Sequence, residues 1–178
     1  MPHQGQEIAN PRTGQRMKFA ELARAELRIE TLNPPSDVRE PVHTHPRQES
    51  GAEVTSGSLV FEVAGERRSL SPGETITIPA GTPHRFWNEG PADAQAIQFF
   101  RPALDTAAFF ETLFALAERG QLDAKGMPKL LPLAALAGEF ADEIRPVSPP
   151  WPLLRALTAA LGPLARLRGH RGRLTLPA

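Results

Sequence analysis

Three of the chain's five histidines lie in two patterned segments, and imidazole is a common ligand for zinc, iron, copper and nickel. The first segment reads His43-Thr44-His45-Pro46-Arg47-Gln48-Glu49-Ser50 and is followed by Gly57. On an extended strand residues i and i+2 face the same way, so His43 and His45 present two rings to one point. Taken alone, such a pair is equally compatible with two surface histidines. The second segment, residues 73–88, delivers His84 from the turn Pro79-Ala80-Gly81-Thr82-Pro83 to the start of a strand. Pro79, Gly81 and Pro83 read as residues that shape this turn, and Asn88 as one that bonds nearby backbone.

The second segment fits Gly-x5-Pro-x-Gly-x2-His-x3-Asn at every fixed position: Gly73, Pro79, Gly81, His84 and Asn88. It resembles the second motif of the cupin superfamily, and the first segment resembles the first cupin motif. Together they cover roughly residues 38–100. The resemblance implies a double-stranded β-helix, a small jelly-roll barrel open at one end. It also implies a metal held by two histidines and a glutamate of the first motif with the histidine of the second. Carried over by position, the histidines are His43, His45 and His84.

The glutamate departs from the pattern. The cupin first motif has the form Gly-x5-His-x-His-x(3,4)-Glu-x6-Gly. His45-x3-Glu49 meets its front half, but seven residues separate Glu49 from Gly57, and counting back from Gly57 puts Ser50 at the glutamate position. Asp37 stands where the leading glycine belongs. If Ser50, Ala52 and Val54 face a barrel interior, Glu49 and Glu53 face away, because one residue of register moves a side chain to the other face. Glu49 reaches inward only from a turn that precedes the strand. Three site compositions therefore stay open: Glu49 as a fourth ligand, three histidines alone, or no metal, with Ser50 marking a lost site.

Three neutral imidazoles and a water make an open zinc-type site. Ferrous iron held by histidines with open positions can activate oxygen. The ligands do not separate iron, manganese, zinc and nickel. Ser50 and Ala52 are small enough to leave room for substrate or water. Phe61, Phe86 and Phe99 are candidate pocket walls among aromatics otherwise expected in the core. Arg85 and Arg101 read as surface residues.

The elements that must position these residues alternate with period two. Gln6–Phe19 reads as a hairpin about Asn10-Pro11-Arg12-Thr13-Gly14. Residues 25–32 read as a half-buried strand with Leu27 and Ile29 on one side. Val38–His45 reads as extended. Short strands follow at 52–55, 58–63, up to Leu70, 75–78, 84–88 and 94–100. Beyond Pro102 the spacing becomes helical: 107–119 with Asp105 as N-cap, about 129–144, and a third helix from Trp151 that Gly162-Pro163 should break or kink. The fold class is mainly β, with a barrel domain over 1–102 and a helical C-terminal extension over 103–178. The extension is expected to pack on the barrel or on a dimer partner. The helical pair Glu139 and Glu143 is expected to be solvated.

Composition narrows the classes further. With no cysteine, a disulfide scaffold, a zinc finger, an iron–sulfur centre and a thiol nucleophile are excluded. There is no GxSxG, P-loop or dinucleotide fingerprint. The zero net charge is a sum: six arginines and no acid follow Glu143, leaving −6 on residues 1–143. Nucleic acid is not an expected partner of the body. The basic last helix is expected to pack on the barrel with a solvated end, the other reading being contact with an anionic membrane surface. A polar start and no apolar run of about 18 residues predict neither a signal peptide nor a span, hence a cytoplasmic protein.

The predicted function is a metal-dependent cupin enzyme of oxygenase, lyase or isomerase type acting on a small organic molecule, in a homodimer. The alternatives are a non-catalytic or metal-free cupin that binds a small ligand or serves as a dimeric module, and a metal-free isomerase with a histidine base. The last requires a carboxylate near His43 or His84.

Overall fold

A computed structural model of the chain describes residues 1–36, 39–123 and 126–176. Asp37 and Val38, at the expected glycine position and the start of the expected extended run, lie outside the described residues. Eleven strands and three helices follow in order among the described residues: β1 Glu7–Ala9, β2 Arg16–Leu22, β3 Leu27–Asn33, β4 His43–Thr44, β5 Glu49–Ser56, β6 Leu59–Val63, β7 Glu66–Leu70, β8 Thr75–Ile78, β9 His84–Trp87, β10 Ala94–Arg101, α1 Thr106–Glu118, α2 Leu130–Glu139, β11 Arg145–Pro146 and α3 Trp151–Leu167.

The strands form two antiparallel sheets, ordered β1-β2-β3-β10-β5-β8 and β11-β4-β9-β6-β7. Alternation decides the inner faces. On β5, Ser50, Ala52 and Val54 are buried, while Glu53 is only half-buried. With Leu59, Phe61, Leu70, Ile78, Ala94 and Ala96, the two apolar β5 residues fill one core between the sheets. A second core joins Ile8, Met17, Phe19, Leu27 and Ile29 to Phe100 and to Ala107 and Phe114 of α1. The apolar face of α1 is thus used within the chain.

Two glycines are required by geometry. A Cβ on Gly51 would stand 2.2 Å from the Ile76 carbonyl oxygen and 2.4 Å from Phe99 Cζ, so β5 can pass under Phe99 only without a side chain there. Gly57 turns β5 into β6 at φ +70°, and a Cβ there would meet the Asp93 carbonyl oxygen at 2.8 Å.

The extension differs from expectation in four places. Asp105 makes no side-chain cap bond; its carboxylate binds Arg173 at 2.5 Å instead. The second helix ends at Glu139, five residues early, because the chain must leave it to lay β11 beside β4. Glu143 is therefore buried, with Oε1 accepting from the Asp105 N–H at 3.2 Å, while Glu139 pairs with Arg173. The third helix runs through Pro163, since Ala159 and Pro163 lie on its exposed side, where water can take the carbonyl that the missing N–H leaves. Among the described residues no helix is long and apolar enough to cross a membrane.

Candidate metal centre

β4 and β9 pair with His43 opposite His84, which sets those two rings side by side with centroids 4.6 Å apart. His45 follows just beyond β4, its ring 5.1 Å from His43 and 5.2 Å from His84. One ligand nitrogen from each of the three lies within 4.8 Å of the others, as capture of a single ion requires. The expected convergence of His43, His45 and His84 is thus present in the geometry.

The tautomer of each ring is set by backbone. His43 Nδ1 lies 3.0 Å from the Pro41 carbonyl and His84 Nδ1 2.8 Å from the Thr82 carbonyl, each two residues back along the chain, just before the strand. His45 Nδ1 lies 2.6 Å from the carbonyl of Glu143, ninety-eight residues away. A carbonyl accepts only, so each Nδ1 carries the proton and each Nε2 keeps its lone pair free. Backbone partners of this kind orient metal-binding histidines and raise their basicity toward the ion.

Electrostatics agree. Burial pushes His45 down to about 3, helped by the charges its two neighbours would carry and opposed by the Glu143 carbonyl. Burial and then His43 push His84 down to about 4, against the Thr82 carbonyl and Glu40. Burial lowers His43 as well. All three are neutral at pH 7, the state that binds metal. The donor set fits a divalent transition ion: three preset nitrogens with no competing proton.

Glu49 is not brought to this cluster. It stands on the outward side of β5, its carboxylate 3.1 Å from Arg101 Nη1 and its side chain 43% exposed. Ser50 takes the inward place, 4% exposed. Arg101, exposed, also holds Glu26, and Arg85, half-buried, holds Glu62; neither lines the cavity. Asn88 bonds backbone, donating to the Asn33 and Ala92 carbonyls.

A cavity of about 250 Å³ opens from the histidines. Ser50, Ala52, Phe61 and Phe86 line it as expected, joined by Ile78. Phe99 does not: on β10 the inward places belong to Gln98 and Phe100, and Phe99 packs over Gly51 on the opposite face. Alternation along β10 was the signal for this, and the pair Phe99-Phe100 hid it.

Sequence reasoning also missed Glu40. It lines the same cavity, half-buried, with Oε1 accepting from the Phe86 N–H at 3.1 Å. Burial pushes its carboxyl up to about 7, although the Phe86 bond and the charges of His84 and Arg85 pull the other way. No periodicity marks Glu40, because Pro41 separates it from the two-residue strand that starts at His43.

Residues 30–100 match the sequence model of the cupin domain family. No curated protein matches the chain. Among solved structures, KdgF from Halomonas sp. is 24% identical, with 52% of this chain covering 83% of that one at a TM-score of 0.48. An RmlC-like cupin from Shewanella frigidimarina NCIMB 400 is 18% identical, covering 56% and 86%, TM-score 0.49. A sugar phosphate isomerase of the cupin superfamily from Silicibacter pomeroyi is 22% identical, covering 49% and 59%, TM-score 0.45.

Proposed function

For a chain whose residues 30–100 are a cupin domain, we propose a metal-dependent enzyme of oxygenase, lyase or isomerase type acting on a small organic molecule. One observation carries this reading: three neutral histidines converge with every Nδ1 committed to a backbone carbonyl, leaving three Nε2 lone pairs for one ion.

His43, His45 and His84 would hold the ion, and Glu49 stays with Arg101. A bound divalent ion supplies a Lewis-acid or oxygen-binding centre. The chain supplies the rest. Phe61, Ile78 and Phe86 keep water from the cavity and hold an apolar substrate body against the histidines. Glu40 is close to half-protonated near neutral pH, so its carboxyl can accept or return a proton at a substrate carbon or oxygen in the same cavity.

Protein purified without chelator and reloaded with iron, manganese, zinc or nickel should hold one ion per chain at pH 7.5. His84→Ala should lose it. Wild-type protein that retains no metal under these conditions removes the reading.

Glu40 also favours a second reading, metal-free proton transfer, since it is a carboxylate beside His84. In that case Glu40→Gln would abolish turnover in protein stripped of metal, whereas the metal reading requires the stripped protein to be inactive already.

A further inference from the structure

Among the described residues the histidine cluster contains no carboxylate. Glu49 is bound to Arg101 on the outer side of β5, and Glu40, which accepts from the Phe86 N–H, is not among the clustered ligand groups. A divalent ion on three neutral imidazoles keeps its full charge, which an anionic ligand would offset. With no carboxylate in the ligand cluster, an anionic ligand from outside the chain can take the open position.

The wall of the site is built to receive one. Ser50 is 4% exposed and lines the cavity, and its Oγ is buried without a hydrogen-bond partner. Its register partner on β10 is Phe100, whose ring stands edge-on to His45 at 5.1 Å, and Ser50 lines the same cavity as the three histidines. A buried hydroxyl is ordinarily paired, and this one has an unused O–H to donate. Beyond it the lining includes the apolar side chains Ala52, Phe61, Ile78 and Phe86, with Glu40 and Gln98 as polar neighbours. A volume of about 250 Å³ admits a molecule of roughly benzoate size.

We propose that this site selects small monocarboxylates with an apolar body, the carboxylate replacing the acid that the chain lacks and accepting a hydrogen bond from Ser50 Oγ. Ser50 is then the specificity-determining residue of the site. This inference rests on the metal reading above, and the two fail separately in one experiment.

The full chain is stripped of metal, loaded with cobalt(II), and titrated with benzoate, acetate and benzyl alcohol while the visible cobalt bands are followed. Wild type should bind cobalt and respond saturably to benzoate, less tightly to acetate, and not to benzyl alcohol. Ser50→Ala should keep cobalt and bind benzoate about tenfold more weakly, the loss expected for a hydrogen bond to a charged acceptor. Ser50→Glu should keep cobalt and lose the response, having its own carboxylate. If no cobalt binds, the metal reading falls and this inference with it. If cobalt binds but benzoate leaves its bands unmoved, or Ser50→Ala binds benzoate as wild type does, the carboxylate receptor alone is refuted. Acetate binding as tightly as benzoate refutes the apolar-body selection.

Discussion

Acidifying the metal-free protein from pH 8 to pH 5 sets two kinds of buried group against each other. His45 and His84 are held down at about 3 and about 4, below the ordinary value of 6.5. Both stay neutral in the fold at pH 5, while the unfolded chain takes up a proton at each. Stability from a depressed histidine is complete above the unfolded pKa and is lost as pH falls toward the folded one. At pH 5 that loss is about 2 kcal/mol for each histidine, whatever the folded value below 5. Glu40 is raised from 4.5 to about 7, so its contribution is present at low pH and lost as pH rises through 7. Going down to pH 5 it restores about 2.5 kcal/mol. These three groups contribute a net loss of about 1.5 kcal/mol in wild type and about 4 kcal/mol in Glu40→Gln, and His43, also lowered by burial, adds the same further loss to both. Glutamine keeps an oxygen for the Phe86 N–H, so the variant removes the titration and little else. Urea unfolding at both pH values in chelator, followed by the fluorescence of buried Trp87, measures the difference. Other acids titrate alike in both proteins and cancel. A Glu40→Gln loss no greater than that of wild type would refute a carboxyl held protonated beside the histidines.

Three further outcomes test the rest of the architecture. Glu49→Gln should leave metal affinity within about twofold and change stability by less than about 1 kcal/mol, since its partner is an exposed arginine; a tenfold fall in affinity by calorimetry would return Glu49 to the ligand set. Phe140→Ala should cost about 3–5 kcal/mol, because Phe140 is 1% exposed against Phe109 and Leu136. It should also weaken metal binding about tenfold through displacement of the Glu143 carbonyl that holds His45; unaltered affinity in the folded variant would show that this carbonyl does not orient the ring. Gly51→Ala should lower stability by about 1–3 kcal/mol, several degrees in a thermal melt, through its clash with the Ile76 carbonyl, and a melt unchanged from wild type would contradict the close passage of β5 under Phe99.

Much of the site was legible because its signals are local. Turn residues Pro79 and Gly81 bracket the entry to the strand that His84 begins, and period two allows only one of Ser50 and Glu49 to face inward from a strand, with Glu49 able to reach in only from a preceding turn. Phe99 was misassigned where two adjacent phenylalanines offered both faces of β10 the same residue type. Glu40 was invisible because its position owes nothing to periodicity: the chain crosses past β9, and the Phe86 N–H takes its carboxylate.

The sequence by itself pointed, through its motif resemblance, to the barrel and to His43, His45 and His84, and put Ser50 at the motif's acid position, since motif spacing, strand parity and turn chemistry act between near neighbours. Only the tertiary structure decided that the extension is part of the centre. Glu143 lies ninety-eight residues from His45, yet its carbonyl fixes that ring, and β11 extends the sheet that carries His43. Such contacts follow from where α2 must stop and turn back, a consequence of packing Phe140 against Phe109 that no local pattern encodes.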